Sequence, residues 1–289
     1  MPSRLLIDPE SLARELDTRG SGLRIFDCRY RLDDHGAGQR LWAEEHVPGS
    51  FPADLGKDLS GPATAASGRH PLPDPLVFID WCRMHGIDDR STVVCYDDIG
   101  GMFAARLWWM LARWLHHPDV RILDGGITRW REEGRPLTSA TPRMPTASAW
   151  APEVDSTAVV TAAELTDYRV VDARAGERFR GEQETIDPVA GHVPGACNRP
   201  ASDNLSANGS MRPVAELQAD WQRVLAGHEP ARVAQMCGSG VMACHNILTM
   251  ELAGFPGARL YAGSWSEWIR DPERPIATGP EPDRGDSLG

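Results

Sequence analysis

Short runs of consecutive apolar residues alternate with helix-like segments along the chain. Such runs are typical of strands that are covered on both faces, as in a parallel sheet flanked by helices. The runs are LRIFD (23–27), TVVCYD (92–97), RILD (121–124), YRVVDA (168–173), RVAQMC (232–237) and ARLYA (258–262). The pattern therefore predicts an α/β fold with mainly parallel sheets.

Capping residues mark where several helices begin and end. Asp74 precedes a proline that suits the first turn of a helix. Thr161 and Glu164 have the spacing of a capping box. A helix that starts after Cys237 is predicted to end near Gly254, because glycine favours the left-handed conformation of a C-terminal cap.

The second half of the chain repeats the first. Four segments recur in the same order, and corresponding residues lie between 138 and 146 positions apart. The corresponding residues are Asp27 and Asp172, His46 and His192, Asp97 and Cys237, and Trp130 and Trp268. Four matches at a nearly constant offset indicate two copies of one domain rather than a solenoid.

The repeat divides the chain into two domains, a linker and a tail. The two copies are predicted at 1–140 and 157–276. The segment 141–156 is rich in Pro, Ser, Thr and Ala and is predicted to be the linker. The tail, 277–289, has no apolar pattern and is predicted to be disordered.

Composition and charge exclude several classes of function. The 289 residues carry a formal net charge of -11, which argues against a nucleic-acid partner, because such proteins need a basic face. No apolar run approaches the roughly 18 residues of a membrane span, and the N-terminus lacks the layout of a secretory signal. The six cysteines form neither a disulfide framework nor a paired CxxC metal spacing. We therefore expect a cytoplasmic protein without a membrane partner, a nucleic-acid partner or a metal site.

The segment MCGSGVMACHN (236–246) joins Cys237 to a glycine-rich turn and a predicted helix. The cysteine ends a predicted strand, and ligands of open α/β sheets bind at that edge. Gly238 and Gly240 allow successive backbone N–H groups to point inward, and the start of the helix adds a partial positive charge. Both features favour a thiolate, so Cys237 is predicted to be a nucleophile rather than a buried structural thiol.

The first repeat has Asp97 where the second has Cys237. The first domain is therefore predicted to be inactive and the second catalytic, with the site facing the domain interface. Two other cysteine chemistries are disfavoured. A cysteine phosphatase would need an arginine at the position of Ala243. A cysteine protease would need a histidine base, whereas His245 lies on the same helix and is predicted to be a surface or packing residue.

Several motifs resemble those of two-domain rhodanese-type sulfurtransferases, a family that includes thiosulfate and 3-mercaptopyruvate sulfurtransferases. They are the duplicated HVPG elements (46–49 and 192–195), DGG (124–126), GSWSEW (263–268) and the loop CGSGV (237–241). The resemblance implies two tandem rhodanese-like domains. It also implies that Cys237 takes a sulfane sulfur from a small-molecule donor, holds it as a persulfide and passes it to cyanide, a thiol or a reduced protein. No metal or other cofactor is implied.

The resemblance also implies roles for residues around the loop. Ser239 would act in catalysis with Cys237, by donating a hydrogen bond to a substrate oxygen or by moving a proton. Arg178 would bind the anionic donor, although a surface salt bridge is the alternative. The other candidates are Gly238, Gly240, Val241 and Met242 in the active-site loop, and His46, Arg180 and Trp265 in substrate binding. For His46 the alternative is a structural role in closing a turn.

The Gly-Ser pair after Cys237 favours 3-mercaptopyruvate as the donor, because thiosulfate-preferring members carry basic residues there. The chain departs from the pattern of the mercaptopyruvate enzymes in three places. It has no second arginine in 181–192, Met242 replaces a threonine, and Ala262 replaces an aspartate. A thiosulfate-preferring enzyme and a non-catalytic persulfide carrier are therefore the alternatives.

Overall fold

Two parallel β-sheets organise the chain, one in each half. The computed structural model describes residues 5–18 and 20–280. The described strands of the first half are β1 (Leu6–Ile7), β2 (Leu23–Asp27), β3 (Ser50–Pro52), β4 (Thr92–Tyr96) and β5 (Val120–Leu123). They form one sheet in the order β1-β5-β4-β2-β3, and all neighbouring strands are parallel.

The second half repeats this topology. Its described strands are β6 (Arg169–Asp172), β7 (Cys197–Asn198), β8 (Val233–Met236) and β9 (Arg259–Leu260). They are again parallel, in the order β7-β6-β8-β9. Val159 forms a parallel bridge to Leu260, at the place that β1 takes beside β5 in the first sheet. The predicted α/β fold with two mainly parallel sheets is confirmed.

Helices flank both sheets. The described α-helices are α1 (Pro9–Thr18), α2 (Ala37–Glu44), α3 (Pro75–Met84), α4 (Ala104–Trp109), α5 (Gly126–Glu132), α6 (Gly176–Phe179), α7 (Val214–Leu225), α8 (Met242–Leu252) and α9 (Ser264–Trp268). A π-helical turn (Met110–Trp114) continues α4. The described 3₁₀ turns are Gly20–Gly22, Ser156–Ala158, Ala162–Asp167, Ala201–Asn204 and Pro230–Arg232.

The predicted capping signals are confirmed. Asp74 accepts a hydrogen bond from the backbone N–H of Leu76 (2.8 Å) at the start of α3. Thr161 and Glu164 form a capping box, here on a 3₁₀ turn. Gly254 follows α8 with a φ of 88°, the left-handed conformation expected beyond a helix end.

The six predicted apolar runs correspond to β2, β4, β5, β6, β8 and β9. Every residue of β4 and β8 is buried, as expected of strands that are covered on both faces. The sequence missed β1, β3 and β7, which are two or three residues long. Such short strands carry no periodic pattern and are defined by their pairing with a longer neighbour.

The two domains pack together through α4 and α8. Arg113, in the turn after α4, forms an ion pair with Glu251 of α8. Arg106 of α4 donates a hydrogen bond to the carbonyl of Gly240, just before α8 (3.2 Å). One apolar core cluster includes side chains of both helices. This packing holds the loop between β8 and α8 against the first domain.

The segment 139–155 has no regular secondary structure and runs along the first domain. The backbone N–H of Ser148 donates to the carbonyl of Arg83 (2.9 Å), and the carbonyl of Trp150 accepts from Nε of Arg83 (2.6 Å). The predicted linker is therefore fixed by hydrogen bonds to α3.

The start of the tail is ordered, contrary to the prediction of disorder for 277–289. Ala277 and His192 form an antiparallel bridge with hydrogen bonds of 2.8 and 3.0 Å, and the N–H of Gly279 donates to the carbonyl of Arg180 (2.8 Å). These are backbone contacts, which an apolar pattern does not reveal. The remaining part of the predicted tail, 281–289, lies outside the described residues. None of the helices in the described part of the chain is long and apolar enough to cross a membrane.

Candidate active site

Cys237 lies where β8 ends and the loop into α8 begins. Its backbone N–H donates to Oγ of Ser264 (3.1 Å), and its carbonyl accepts from the N–H of Trp265 (3.0 Å). Ser264 has a φ of 54°, an uncommon value for a residue with a side chain, and its hydroxyl donates to the carbonyl of Tyr261 (2.8 Å). The turn between β9 and α9 therefore fixes the backbone at the cysteine.

Two glycines allow close approaches to the loop. Gly240 has a φ of 75°, and a Cβ there would lie 2.3 Å from the carbonyl oxygen of Ala262. A Cβ on Gly238 would lie 2.9 Å from Nη2 of Arg69 and 3.7 Å from both terminal nitrogens of Arg178. Two guanidinium groups, one from each domain, are therefore packed against the residue that follows Cys237.

Cys237 lines a pocket of about 200 Å³ between the two domains. The lining residues are Leu32, Arg69 and Phe103 from the first domain, and Arg174, Ala175, Arg178, Ile186, Cys237, Gly238, Ser239, Val241 and Met242 from the second. Because Cys237 is only 3% exposed, a substrate must enter this pocket to reach the sulfur. A larger groove of about 690 Å³, between the first domain and residues 142–146, has no cysteine, serine or histidine among its lining residues.

Two carboxylates hold the guanidinium groups in place. Asp187 forms ion pairs with Arg69 and with Nη2 of Arg178, the second at 3.0 Å. Glu184 accepts a hydrogen bond from Nε of Arg178 (3.0 Å). Burial raises the pKa of Asp187. For Glu184 the effect of burial is outweighed by hydrogen bonds from the backbone N–H groups of Asp187 and Ile186 and by Arg178, which together lower its pKa.

Arg178 therefore lies beside Cys237, as the sequence suggested, whereas Arg69 was missed. The family pattern has a second arginine in the segment that corresponds to 181–192, and this chain has none there. Arg69 instead comes from the other domain, in the segment SGRHP (67–71) between β3 and α3. The only signal in the sequence is that two basic residues, Arg69 and His70, stand together among turn residues. They reach the site only because the two domains pack against each other.

Ser239 is paired with a histidine of the first domain that was not among the predicted site residues. Its Oγ lies 2.9 Å from Nδ1 of His70. Burial lowers the pKa of His70 to about 4, with contributions from Arg106 and Arg69. The imidazole is therefore neutral at neutral pH. Depending on its tautomer, Nδ1 accepts the serine proton or donates its own.

A buried cation lies behind the loop. The guanidinium of Arg106 is fully buried, and besides Gly240 it donates to the carbonyls of His70 (3.1 Å) and Leu59 (3.3 Å). Burial lowers its pKa, but from so high a value that an arginine stays charged. Cys244 donates to the same Gly240 carbonyl (3.3 Å), and burial raises the pKa of this thiol to about 12. Cys244 is thus a buried, protonated neighbour of the site.

His46 is not part of the site, which corrects its candidacy for substrate binding. The side chain is fully buried and stacks on Trp42 with ring centroids 4.5 Å apart. Its Nδ1 lies 2.7 Å from the carbonyl of Trp42 and its Nε2 lies 3.2 Å from that of Ala140. Its counterpart His192 stacks on Phe179 in the same way, at 3.8 Å. Both histidines therefore close a turn, the structural alternative.

Two further substrate-binding candidates also lie away from the pocket. Arg180 is on the surface, where it pairs with Glu182 (2.8 Å). Trp265 is fully buried behind the loop, and its indole N–H donates to the carbonyl of Val189 (2.9 Å). The guanidinium of Arg174 stacks on this indole, 4.7 Å from the ring centroid. Trp265 therefore supports the loop, whereas Arg180 has no contact with it.

The six cysteines are all buried, and none of them forms a disulfide in the described part of the chain. Within residues 5–18 and 20–280, no three His, Cys, Asp or Glu side chains are grouped so that they could hold a metal ion.

Comparison with known proteins gives consistent matches over nearly the whole chain. A family model described as "Rhodanese-like domain" matches residues 8–133 and 157–271. A Pseudomonas aeruginosa protein named "Probable 3-mercaptopyruvate sulfurtransferase" is 43% identical, over 96% of this chain and 100% of its own length. A chicken "Thiosulfate sulfurtransferase" is 32% identical, over 86% and 87%. The solved structure of "3-mercaptopyruvate sulfurtransferase from Leishmania major" has a TM-score of 0.85 and 32% identity, covering 94% of this chain and 76% of that one.

Proposed function

Because the chain belongs to the rhodanese family of two-domain sulfurtransferases, we propose that it moves a sulfane sulfur from 3-mercaptopyruvate, through a persulfide on Cys237, to cyanide, a thiol or a reduced protein. One observation carries the proposal. Cys237 lies in a small pocket between the domains, beside two guanidinium groups and a Ser239–His70 pair.

In the first half-reaction, the thiolate of Cys237 attacks the thiol sulfur of 3-mercaptopyruvate. An S–S bond forms and the C–S bond breaks, and its electron pair leaves on the enolate of pyruvate. The thiol proton moves to that enolate, which leaves as pyruvate, and Cys237 keeps the sulfur as a persulfide anion. In the second half-reaction, a nucleophilic acceptor attacks the outer sulfur and releases the Cys237 thiolate.

The neighbouring side chains suit these steps. Arg178 and Arg69 can bind the carboxylate of the donor, since a guanidinium fork matches a carboxylate geometrically. The hydroxyl of Ser239 can donate to the developing enolate oxygen or pass the thiol proton. His70, neutral at neutral pH, can accept that proton or return it. Arg106 places a permanent positive charge behind the loop, which favours the anionic sulfur before and after loading.

Thiosulfate is the second candidate donor. Positions 238–243 contain no cation, but Arg69 and Arg178 supply two from neighbouring segments, and two guanidinium groups can attract a compact dianion. The choice between the donors therefore depends on how much of that positive charge is available, since both arginines are already paired with carboxylates.

The proposed chemistry uses the cysteine sulfur as the carrier and calls for no metal or other cofactor. It also requires a reduced thiol at Cys237, and six cysteines without a disulfide among the described residues are compatible with a reducing compartment such as the cytoplasm.

A steady-state comparison of kcat/KM for 3-mercaptopyruvate and thiosulfate, with cyanide as the acceptor, tests the proposal. Intact-mass measurement after incubation with donor alone should show one added sulfur. A higher kcat/KM for thiosulfate would overturn the donor assignment. A chain that is loaded once but never turns over would instead be a persulfide carrier, and a chain that is never loaded would contradict the sulfurtransfer itself.

A further inference from the structure

Asp187 lies between the two arginines beside the Cys237 loop. Its two carboxylate oxygens are divided between them: Oδ1 pairs with Nη1 of Arg69, and Oδ2 with Nη2 of Arg178 (3.0 Å). The carboxylate is 2% exposed, whereas the side chains of Arg69 and Arg178 are 28% and 18% exposed. The acid is thus enclosed, and the two cations face the pocket around it.

Glu184 makes different contacts. Besides Arg178, it accepts hydrogen bonds from the backbone N–H groups of Ile186 (2.9 Å) and Asp187 (3.0 Å). It also pairs with Arg174 (3.7 Å), so it stabilises its own segment and contacts two arginines of the second domain. Asp187 joins an arginine of the first domain to an arginine of the second, and it does so next to Gly238.

The charges around the pocket nearly cancel. Arg69 and Arg178 contribute two positive charges, and Asp187 and Glu184 contribute two negative ones. The third arginine that lines the pocket, Arg174, is paired at 2.7 Å with the buried carboxylate of Asp172. Apart from the charge of Arg106 behind the loop, a donor that enters this pocket meets guanidinium groups whose positive charge is balanced by neighbouring carboxylates.

On the basis of the proposed function, we propose that Asp187 is a specificity-determining residue that makes the site prefer monoanionic donors, such as an α-keto thiol with one carboxylate, over dianionic donors such as thiosulfate. It acts by holding one face of each guanidinium group and by repelling the incoming anion. A dianion feels this repulsion twice as strongly as a monoanion at the same position. The two arginines also stabilise a bound dianion less than unpaired guanidinium groups would, because Asp187 already uses part of their hydrogen-bonding capacity.

Replacing Asp187 by asparagine tests the inference. The substitution removes one negative charge and keeps the size of the side chain. The ratio of kcat/KM for thiosulfate to kcat/KM for 3-mercaptopyruvate should rise by about tenfold, mainly through a lower KM for thiosulfate. Asp187→Glu keeps the charge, so its ratio should lie closer to the wild-type value than to the value for Asp187→Asn. A ratio for Asp187→Asn that stays within about twofold of wild type would overturn the inference.

Glu182→Gln is the matched control. Glu182 belongs to the same acidic segment, but its carboxylate is 58% exposed and pairs with Arg180 on the surface. Its removal changes the net charge of the chain by the same amount, and the donor ratio should not move. If Glu182→Gln shifts the ratio as much as Asp187→Asn does, the effect is one of overall charge, and the assignment to Asp187 is wrong.

A binding measurement separates this inference from the proposed function. Calorimetry on the Cys237→Ser chain can compare sulfate, an unreactive dianion, with pyruvate, an unreactive monoanion. Adding Asp187→Asn should tighten sulfate binding about tenfold more than pyruvate binding. An equal change for both ions would overturn the role of Asp187. If neither donor loads wild-type Cys237, the proposed function fails, and the calorimetry still decides whether Asp187 selects by charge.

Discussion

The two domains carry the same loop with different contents. At the end of β4, the fully buried carboxylate of Asp97 is surrounded by backbone N–H groups of its own loop. The donors are Ile99 (2.9 Å), Gly101 (2.8 Å), Phe103 (2.8 Å) and Ala104 (3.0 Å). At the end of β8, the corresponding residue is Cys237, which lines the interdomain pocket. The first loop therefore surrounds a carboxylate with backbone N–H groups, and that carboxylate is its own Asp97.

The two loops also receive different support from the opposite domain. The carbonyl of Gly100 accepts a hydrogen bond from Nε2 of His245 (3.0 Å), and the carbonyl of Gly240 accepts one from Arg106 (3.2 Å). Burial lowers the pKa of His245 to about 4, so this partner is neutral at neutral pH. Arg106 is permanently charged. An amide-lined turn is therefore not a site by itself: the second loop adds a nucleophile, a cation behind it and access to a pocket.

The largest effect should come from the nucleophile. Cys237→Ser should abolish both turnover and sulfur loading, because a serine hydroxyl is a far weaker nucleophile than a thiolate. Peptide mass spectrometry after incubation with donor is the measurement. Cys244→Ser, which replaces a thiol donor to Gly240 with a hydroxyl donor, should keep most of the activity. Sulfur loaded on Cys244 or on another cysteine would contradict the assignment.

Removing the internal anion should cost stability rather than chemistry. Asp97→Ala leaves four backbone N–H groups, three of them buried, without their acceptor, which should lower the free energy of unfolding by about 3 kcal/mol or more. Urea denaturation measures the change. The neighbouring Asp98→Ala is the control, because it breaks a partly exposed ion pair with Arg31 and should cost about 1 kcal/mol. Equal costs would show that the amide bonds to Asp97 contribute little.

The cation behind the second loop should affect the reaction. Arg106→Gln keeps a hydrogen-bond donor but removes the charge, so kcat/KM should fall about tenfold or more. The counterpart variant, His245→Gln, removes no charge at neutral pH and should change kcat/KM little. Single-turnover rates of sulfur loading, measured with circular dichroism as a check on folding, decide between them. Equal losses would mean that both partners only hold their loops in place.

Two of the buried histidines, His70 and His245, should make the protein less stable in acid. His70 and His245 have pKa values near 4 in the folded chain, below the ordinary value of 6.5. Between these values the unfolded chain binds more protons, so stability falls as pH decreases from about 6.5 to about 4. The loss should reach about 3 kcal/mol for each histidine, seen in urea denaturation across that range. His245→Gln should make the dependence shallower, and an unchanged pH dependence would contradict its depressed pKa.

Much of this comparison was already readable in the sequence. The longer apolar runs, the internal repeat and the exchange of Asp97 for Cys237 are local patterns, and they led to the two sheets and the two loops. Arg69 and His70 were not readable, because they come from a turn in the other domain and meet the loop only after the domains pack. His46 was misjudged for a related reason: a histidine before Pro-Gly looks the same in a sequence whether it closes a turn or faces a pocket.

The last test asks whether the loop alone can make a site. The two turns share one glycine conformation, since φ is 75° at both Gly100 and Gly240. They then diverge, because Gly101 is left-handed (φ 90°) whereas Val241, the N-cap of α8, is right-handed (φ -88°). Asp97 is also fully buried and does not line the interdomain pocket.

In a chain that also carries Cys237→Ser, Asp97→Cys should therefore gain no sulfur from 3-mercaptopyruvate or thiosulfate, as measured by intact mass. Its folding can be verified by circular dichroism, because the substitution removes the buried acceptor of four amides. Sulfur on the new cysteine in a folded chain would show that an amide-lined turn is sufficient for loading, and that the pocket and its arginines mainly select the donor.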